Sequence, residues 1–245
     1  MPTLYLSPST QEGNPVVIGG TEEEYMNRIA DAMEPYLVSN GIVFRRNNRN
    51  ESLGQAIRDS NAGNYDLHFA LHSNAAPPTS SGNVKGADFY YYTPSTKGRE
   101  AATILAENYK RIYPYPELSR PIATTSLVEV RTTRAPAVLA ELAYHDNVEE
   151  ATWLRDNPEA IARNLVIGLT EYFQIPFVEA QTPVPGIVRL RSGTLNLRAL
   201  PNTQAEVIAS IPNGAEVTVL GQWGNWYVVR YGDNVGYAHS AYIAI

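Results

Sequence analysis

LHFAL at Leu67–Leu71 and AVLAEL at Ala137–Leu142 are short, almost unbroken apolar runs. Runs of this length and composition suit strands of a parallel sheet that is covered on both faces, where neither side of the strand meets water. Working outward, Leu4–Leu6 (LYL), Gly41–Arg45 (GIVFR) and Ala87–Tyr92 (ADFYYY) read as further strands. Between them lie helical stretches at Glu22–Leu37, Leu53–Ala62, Gly98–Ile112 and Pro158–Phe173. In the last, Asn157 is placed to cap, Pro158 suits the first turn, and Ile161, Leu165, Leu169 and Phe173 fall on one face. Strands alternating with helices predict an α/β domain, a mostly parallel sheet flanked by helices on both faces.

Ile175–Gly186 (IPFVEAQTPVPG) breaks this pattern with three prolines and a glycine. The expected division is therefore a first domain over 1–177, a proline-containing linker over 178–185, and a second domain over 186–245. Short β-rich segments at Leu195–Leu197, Val207–Ile211, Glu216–Gly221, Trp226–Tyr231 and Gly236–Ala238, with turns at Pro212-Asn213-Gly214 and Gly232-Asp233-Asn234, predict a small all-β barrel there.

The net charge is −6; it divides as −7 up to residue 183 and +1 beyond. With no basic stripe to neutralise phosphates, nucleic acid is not an expected partner. The absence of Cys rules out disulfides and thiolate metal sites. No membrane span and no secretory signal are read, so the protein is expected to act outside the cell or after release by lysis.

In an open sheet, ligands bind beyond the carboxyl ends of the strands. His72 stands there after Asp66–Leu71, and Glu141 stands in the matching place after Ala137–Ala140. A carboxylate at the end of so apolar a strand needs a partner. The acidic start of the first helix, Glu22-Glu23-Glu24, adds a third element. Its apolar stripe of Met26, Ile29, Ala30, Met33 and Leu37 extrapolates to Glu22 and Glu23, while Glu24 falls on the polar side.

Tyr65–Ala76 (YDLHFALHSNAA) and Arg131–Asn147 (RTTRAPAVLAELAYHDN) together resemble the zinc-dependent N-acetylmuramoyl-L-alanine amidases, over roughly residues 1–175. The resemblance implies His72 as a zinc ligand, Glu23 (four residues before Asn27) as the carboxylate ligand, and Glu141 as the general base. Where the family carries another ligand His, this chain has Thr10. His145, in the loop after the Glu141 strand, is expected to supply the missing imidazole, giving Glu23, His72 and His145. A site completed by Glu22, Glu24 or water, or an inactive descendant, are the alternatives. His68 precedes His72 by four residues on the same strand face, about 13 Å deeper along the strand. Arg131 is a candidate for a substrate carboxylate, and Asn74 for a substrate or loop contact.

The second domain resembles the bacterial Src-homology-3-like wall-binding domains through Leu195–Arg198, Pro201, Ile211–Gly214, Trp226 and Gly236-Tyr237. The two resemblances imply a monomeric peptidoglycan hydrolase that uses zinc to cut the N-acetylmuramic acid–L-alanine amide bond, as an endolysin, sporulation enzyme or autolysin. A wall-binding protein without activity and a zinc peptidase acting within the stem peptide are the competing readings.

Overall fold

The computed structural model describes residues 1–245. Its elements in chain order are β1 (Thr3–Pro8), α1 (Glu22–Ser39), β2 (Val43–Arg46), α2 (Leu53–Ala62), β3 (Leu67–Asn74), β4 (Ala87–Tyr92), α3 (Thr96–Tyr109), β5 (Ser119–Thr124), α4 (Val128–Thr132), β6 (Ala137–Tyr144), α5 (Val148–Asp156) and α6 (Pro158–Tyr172). The strands form a six-stranded sheet in the order β2-β1-β3-β6-β4-β5. β1 with β3, β3 with β6 and β4 with β5 run parallel, whereas β4 and β6 run antiparallel. The sheet is thus mixed, with parallel pairs predominating, and helices flank it.

The two apolar runs that decide the fold, β3 and β6, are neighbours at its centre. Their faces divide by residue parity. Ala70 of β3 and Ala137 and Leu139 of β6 pack with Val130 of α4. On the other side, α3 and α6 pack together, and the Tyr109 hydroxyl of α3 donates to the Leu142 carbonyl at 3.1 Å. His68, His72 and Glu141 share the parity of the α4 face. Pro121 lies in β5, the edge strand, where a missing N–H costs no ladder bond.

The Asn157 side chain turns back to the Trp153 carbonyl of α5 at 3.0 Å, while its own carbonyl accepts from the Ile161 N–H of α6.

A seven-stranded antiparallel sheet follows, in the order β13-β7-β10-β11-β12-β8-β9: β7 (Val184–Val188), β8 (Thr194–Arg198), β9 (Val207–Pro212), β10 (Glu216–Trp223), β11 (Trp226–Tyr231), β12 (Asn234–His239) and β13 (Ile243–Ala244). Its core gathers Val188, Leu195, Leu197, Ile211, Val217, Val219 and Val229. The chain separates into two compact units: Thr3–Met33 with Phe44–Tyr172, and Phe173–Ile245 with Met1–Pro2 and Glu34–Val43. Within the latter, the proline-marked stretch is tied down. The Val178 N–H donates to Asn40 Oδ1 at 2.6 Å, its carbonyl accepts from Asn40 Nδ2 at 2.8 Å, and β7 begins at Val184. No helix is long and apolar enough to cross a membrane.

Candidate active site

Register brings the first two candidates together. β3 and β6 pair His72 with Glu141, β6 and β4 pair Glu141 with Asp88, and β4 and β5 pair Asp88 with Arg120. Paired residues on adjacent strands project to the same face. His72, Glu141, Asp88 and Arg120 therefore form one row across four strands, on the side that α4 covers. At the row's end Arg120 Nε donates to Asp88 Oδ1 at 2.9 Å, and the Arg120 side chain is 63% exposed.

His72 lies between two acids. Its Nδ1 is 2.8 Å from Glu22 Oε1, and its Nε2 is 3.4 Å from Glu129 Oε2. Glu22 is 1% exposed, and its Oε2 accepts from Asn14 Nδ2 at 2.7 Å. Glu129, on α4, is buried; its Oε1 accepts from Ser7 Oγ at 2.7 Å and faces His68 Nε2 at 3.0 Å. Glu141 Oε2 is buried without a hydrogen-bond partner, and Glu129 Oε2 has only its contact with His72.

These contacts set the ionisation. Burial disfavours the His72 imidazolium, but hydrogen bonds to Glu129 and Glu22 overcome it and raise the pKa well above the usual histidine range. Burial likewise opposes charge on Glu22 and Glu129, yet hydrogen bonds from their histidine partners hold both below the usual carboxylate range. Glu141 has no such donor. Burial pushes it up to about 7, and the neighbouring carboxylates of Glu22, Asp88 and Glu129 add to the rise against the pull of His72.

The other candidates are held by other partners. Glu23 is held on its own helix, where Oε1 accepts from Asn27 Nδ2 at 2.7 Å, with Arg49 Nε 4.0 Å away. His145 turns to Ser73, with Nδ1 2.8 Å from its carbonyl oxygen. A carbonyl only accepts, so Nδ1 carries the proton and Nε2 the lone pair in the neutral ring. No three His, Asp or Glu side chains close on a common point as a metal-ligand set does. Asn74 Oδ1 caps the loop leaving β3 by accepting from Ala75 N–H at 2.9 Å. Arg131 is exposed on α4. Thr10 is half-buried and accepts from Glu12 N–H through its backbone carbonyl. The loop around Thr10 still reaches the site, because Gln11 Nε2 lies 3.4 Å from His72 Nδ1.

Sequence reading did not find Glu129, Asp88 or Arg120. Glu129 had a signal, an acid between two valines in Leu127–Val130. His68 was expected well below His72 on the strand, yet one carboxylate, that of Glu129, touches both imidazoles, Oε1 at 3.0 Å from His68 Nε2 and Oε2 at 3.4 Å from His72 Nε2.

The sequence profile of the family described as N-acetylmuramoyl-L-alanine amidase matches residues 9–171, well over half of the chain. The chain belongs to the N-acetylmuramoyl-L-alanine amidase family. A bacterial SH3 domain profile matches residues 193–244. A curated relative of this amidase-family chain is the endolysin of Bacillus phage SPP1, 33% identical over 102 residues. That match spans 40% of the chain and 36% of the endolysin's length. Among solved structures, the catalytic domain of CwlV, an N-acetylmuramoyl-L-alanine amidase from Bacillus (Paenibacillus) polymyxa var. colistinus, has a TM-score of 0.62 at 20% identity. It covers 72% of this chain and 100% of that one. The amidase AmiC2 of Nostoc punctiforme gives 0.63 at 17% identity, covering 71% and 97%. The catalytic domain of the CD27L endolysin gives 0.59 at 22%, covering 70% and 98%. At these identities the structural likeness speaks for the fold.

Proposed function

We propose that this amidase-family chain hydrolyses the amide bond between N-acetylmuramic acid and L-alanine in peptidoglycan, with Glu141 as general base at a zinc site built on His72. The observation that carries the reading is the shared register of His72 and Glu141 on neighbouring central strands, with the buried Glu141 Oε2 lacking a hydrogen-bond donor. A buried carboxylate oxygen without a partner is costly, and a proton or a cation satisfies it. Zinc, when bound, supplies a Lewis acid that lowers the pKa of water and polarises the scissile carbonyl.

The chain's own groups do the rest. Glu22 at Nδ1 orients the His72 ring, which would hold zinc in its neutral form. Glu141 takes the proton of the attacking water and delivers it to the departing amine of L-alanine; a carboxyl near 7 suits both transfers. The all-β unit would hold the wall near the catalytic unit and raise the local substrate concentration. The site of action is the bacterial cell wall.

The test is digestion of purified cell walls with and without a chelator. Release of peptides with free L-alanine amino termini, lost on chelation and restored by zinc, supports the amidase. Release of free amino acids with muramoyl-alanine intact would point instead to a stem-peptide peptidase. Binding without any digestion would leave only a wall-docking role.

A further inference from the structure

We propose that Arg120 is a specificity-determining residue of this site and binds a carboxylate of the stem peptide, close to the amide that is cut. The inference rests on the amidase reading and names the chemistry of the substrate that the site selects. Three observations support it.

The first is placement. Arg120 closes the row that runs His72, Glu141, Asp88, Arg120 across four strands, so its side chain rises on the face that carries Glu141. Two strand spacings set its backbone about 10 Å from that of Glu141. An extended peptide advances about 3.3–3.6 Å per residue. A peptide that crosses the strands from a scissile amide over Glu141 thus brings the carboxylate of its second residue within reach of the long Arg120 side chain.

The second is how Arg120 is held. Its Nε donates to Asp88 Oδ1 at 2.9 Å, and Asp88 is buried while the Arg120 side chain is 63% exposed. Asp88 Oδ2 faces the Tyr90 hydroxyl at 3.4 Å, and Nη1 and Nη2 of Arg120 make no hydrogen bond. A guanidinium anchored through Nε alone retains the edge between Nη1 and Nη2, whose two N–H groups match a carboxylate.

The third is charge. Glu141 feels the carboxylates of Glu22, Asp88 and Glu129 around it. So acidic a site repels an anionic substrate unless a cation meets the anionic group, and Arg120 is the one arginine of the row. The muramic acid side of the bond has no carboxyl to offer, because its lactyl carboxyl is already part of the amide. The group that Arg120 meets therefore belongs to the peptide.

The experiment uses the full chain with zinc supplied and two stem peptides that begin with L-alanine, identical except that the α-carboxylate of the second residue is free or amidated. These product peptides are bound without being cut, and titration calorimetry reads their affinity. The unaltered chain is expected to bind the carboxylate form at least about tenfold more tightly than the amide, the lower end for a charge-assisted hydrogen bond. Arg120→Gln should bring that ratio to about one by weakening the carboxylate form alone, and Arg120→Lys should keep part of it, since an ammonium retains the charge and loses the fork. No preference in the unaltered chain, binding of neither peptide, or a preference that survives in Arg120→Gln overturns the assignment. So does equal weakening of both peptides by that variant, which would mean that Arg120 only holds Asp88. Cleavage of the matching muramyl peptides, followed in parallel, separates the two claims. A preference lost in Arg120→Gln without any cleavage sinks the amidase and leaves the carboxylate site; cleavage of both muramyl peptides at equal kcat/KM does the reverse.

Discussion

Glu141 and Glu129 are acids on one face of one sheet, yet their environments drive them apart. Glu129 receives donors from Ser7 and His68, while Glu141 receives none and is pushed up to about 7. Divergent environments of this kind hold two carboxyls in different protonation states, the condition under which one of them can carry a proton. Replacing Glu141 with Gln should therefore lower wall hydrolysis by about 10²–10⁴-fold with zinc content unchanged; loss of zinc as well would make it a ligand rather than a base. The same residue carries a pH prediction for the chelated chain. An acid raised on folding destabilises the folded state as pH climbs from its unfolded value near 4.5 through about 7. Denaturant unfolding should find Glu141→Gln equal to the unaltered chain near pH 4 and more stable by about 3 kcal/mol at pH 8. Equal stability at both pH values would mean that Glu141 is solvated. His72 and Glu141 were legible because a polar residue closing an apolar strand has few innocent explanations. Glu22 and Glu23 were separable only by partner: both extrapolate to the inner stripe, but Asn27 one turn on takes Glu23, and Glu22 is left to meet His72.

At the scale of elements, the central strands declared themselves through apolar composition and the long helices through periodicity, and α2 and β4 have the bounds that the sequence suggests. The short elements did not. Val128–Thr132 is rich in β-branched residues and becomes one turn of helix only because Val130 buries itself on β6, so Glu129 stayed hidden with it. β5 carries a proline, and α5 follows a motif otherwise read for chemistry. Asn147 closes that motif and acts as a structural cap. Its Oδ1 accepts from the Glu149 and Glu150 N–H groups, and its Nδ2 donates to the Gly82 and Val84 carbonyls. Asn147→Ala should cost about 1–2 kcal/mol in thermal or denaturant unfolding with zinc affinity preserved; an unchanged midpoint would mean that the loop finds other donors. On β5, Arg120 ends the row that contains Glu141 and its side chain is 63% exposed, whereas Arg131 lies exposed on α4. Arg120→Ala should raise KM for wall peptides by about tenfold, the lower end for a charge-assisted hydrogen bond, with kcat little changed. A fall in kcat at constant KM would give Arg120 a role in holding Asp88 beside Glu141 instead.

For the molecule as a whole, net charge concealed a distribution. The segment beyond residue 183 sums to only +1, which by itself gives no strong pull toward an anionic polymer. Folding nevertheless concentrates its cations. Arg189, Arg191 and Arg198 line one groove of the all-β unit together with Trp226, His239 and Tyr242, and no acidic side chain lines it. Only one other basic residue, Arg230, lies in that segment, so three of its four cations face a single recess. Arg198 is partly committed, since its Nη1 donates to the Ala205 carbonyl at 2.7 Å. The ring of His239 meets Trp226 edge-on at 5.4 Å and is tilted against Tyr242 at 5.7 Å, giving the recess a rigid aromatic wall. A flat, unsaturated wall beside paired guanidinium groups suits an extended chain bearing carboxylates. Arg189→Glu with Arg191→Glu reverses the local sign without touching the apolar core. Co-sedimentation with purified walls should fall at least about tenfold for this double variant, while hydrolysis of a small soluble muramyl peptide should stay constant, because a tether acts through local concentration and not on the chemistry. Binding by the unaltered chain should also weaken with added salt. Wall binding that survives both the charge reversal and salt would return the tether to shape and apolar contact, and would move the docking surface away from this groove.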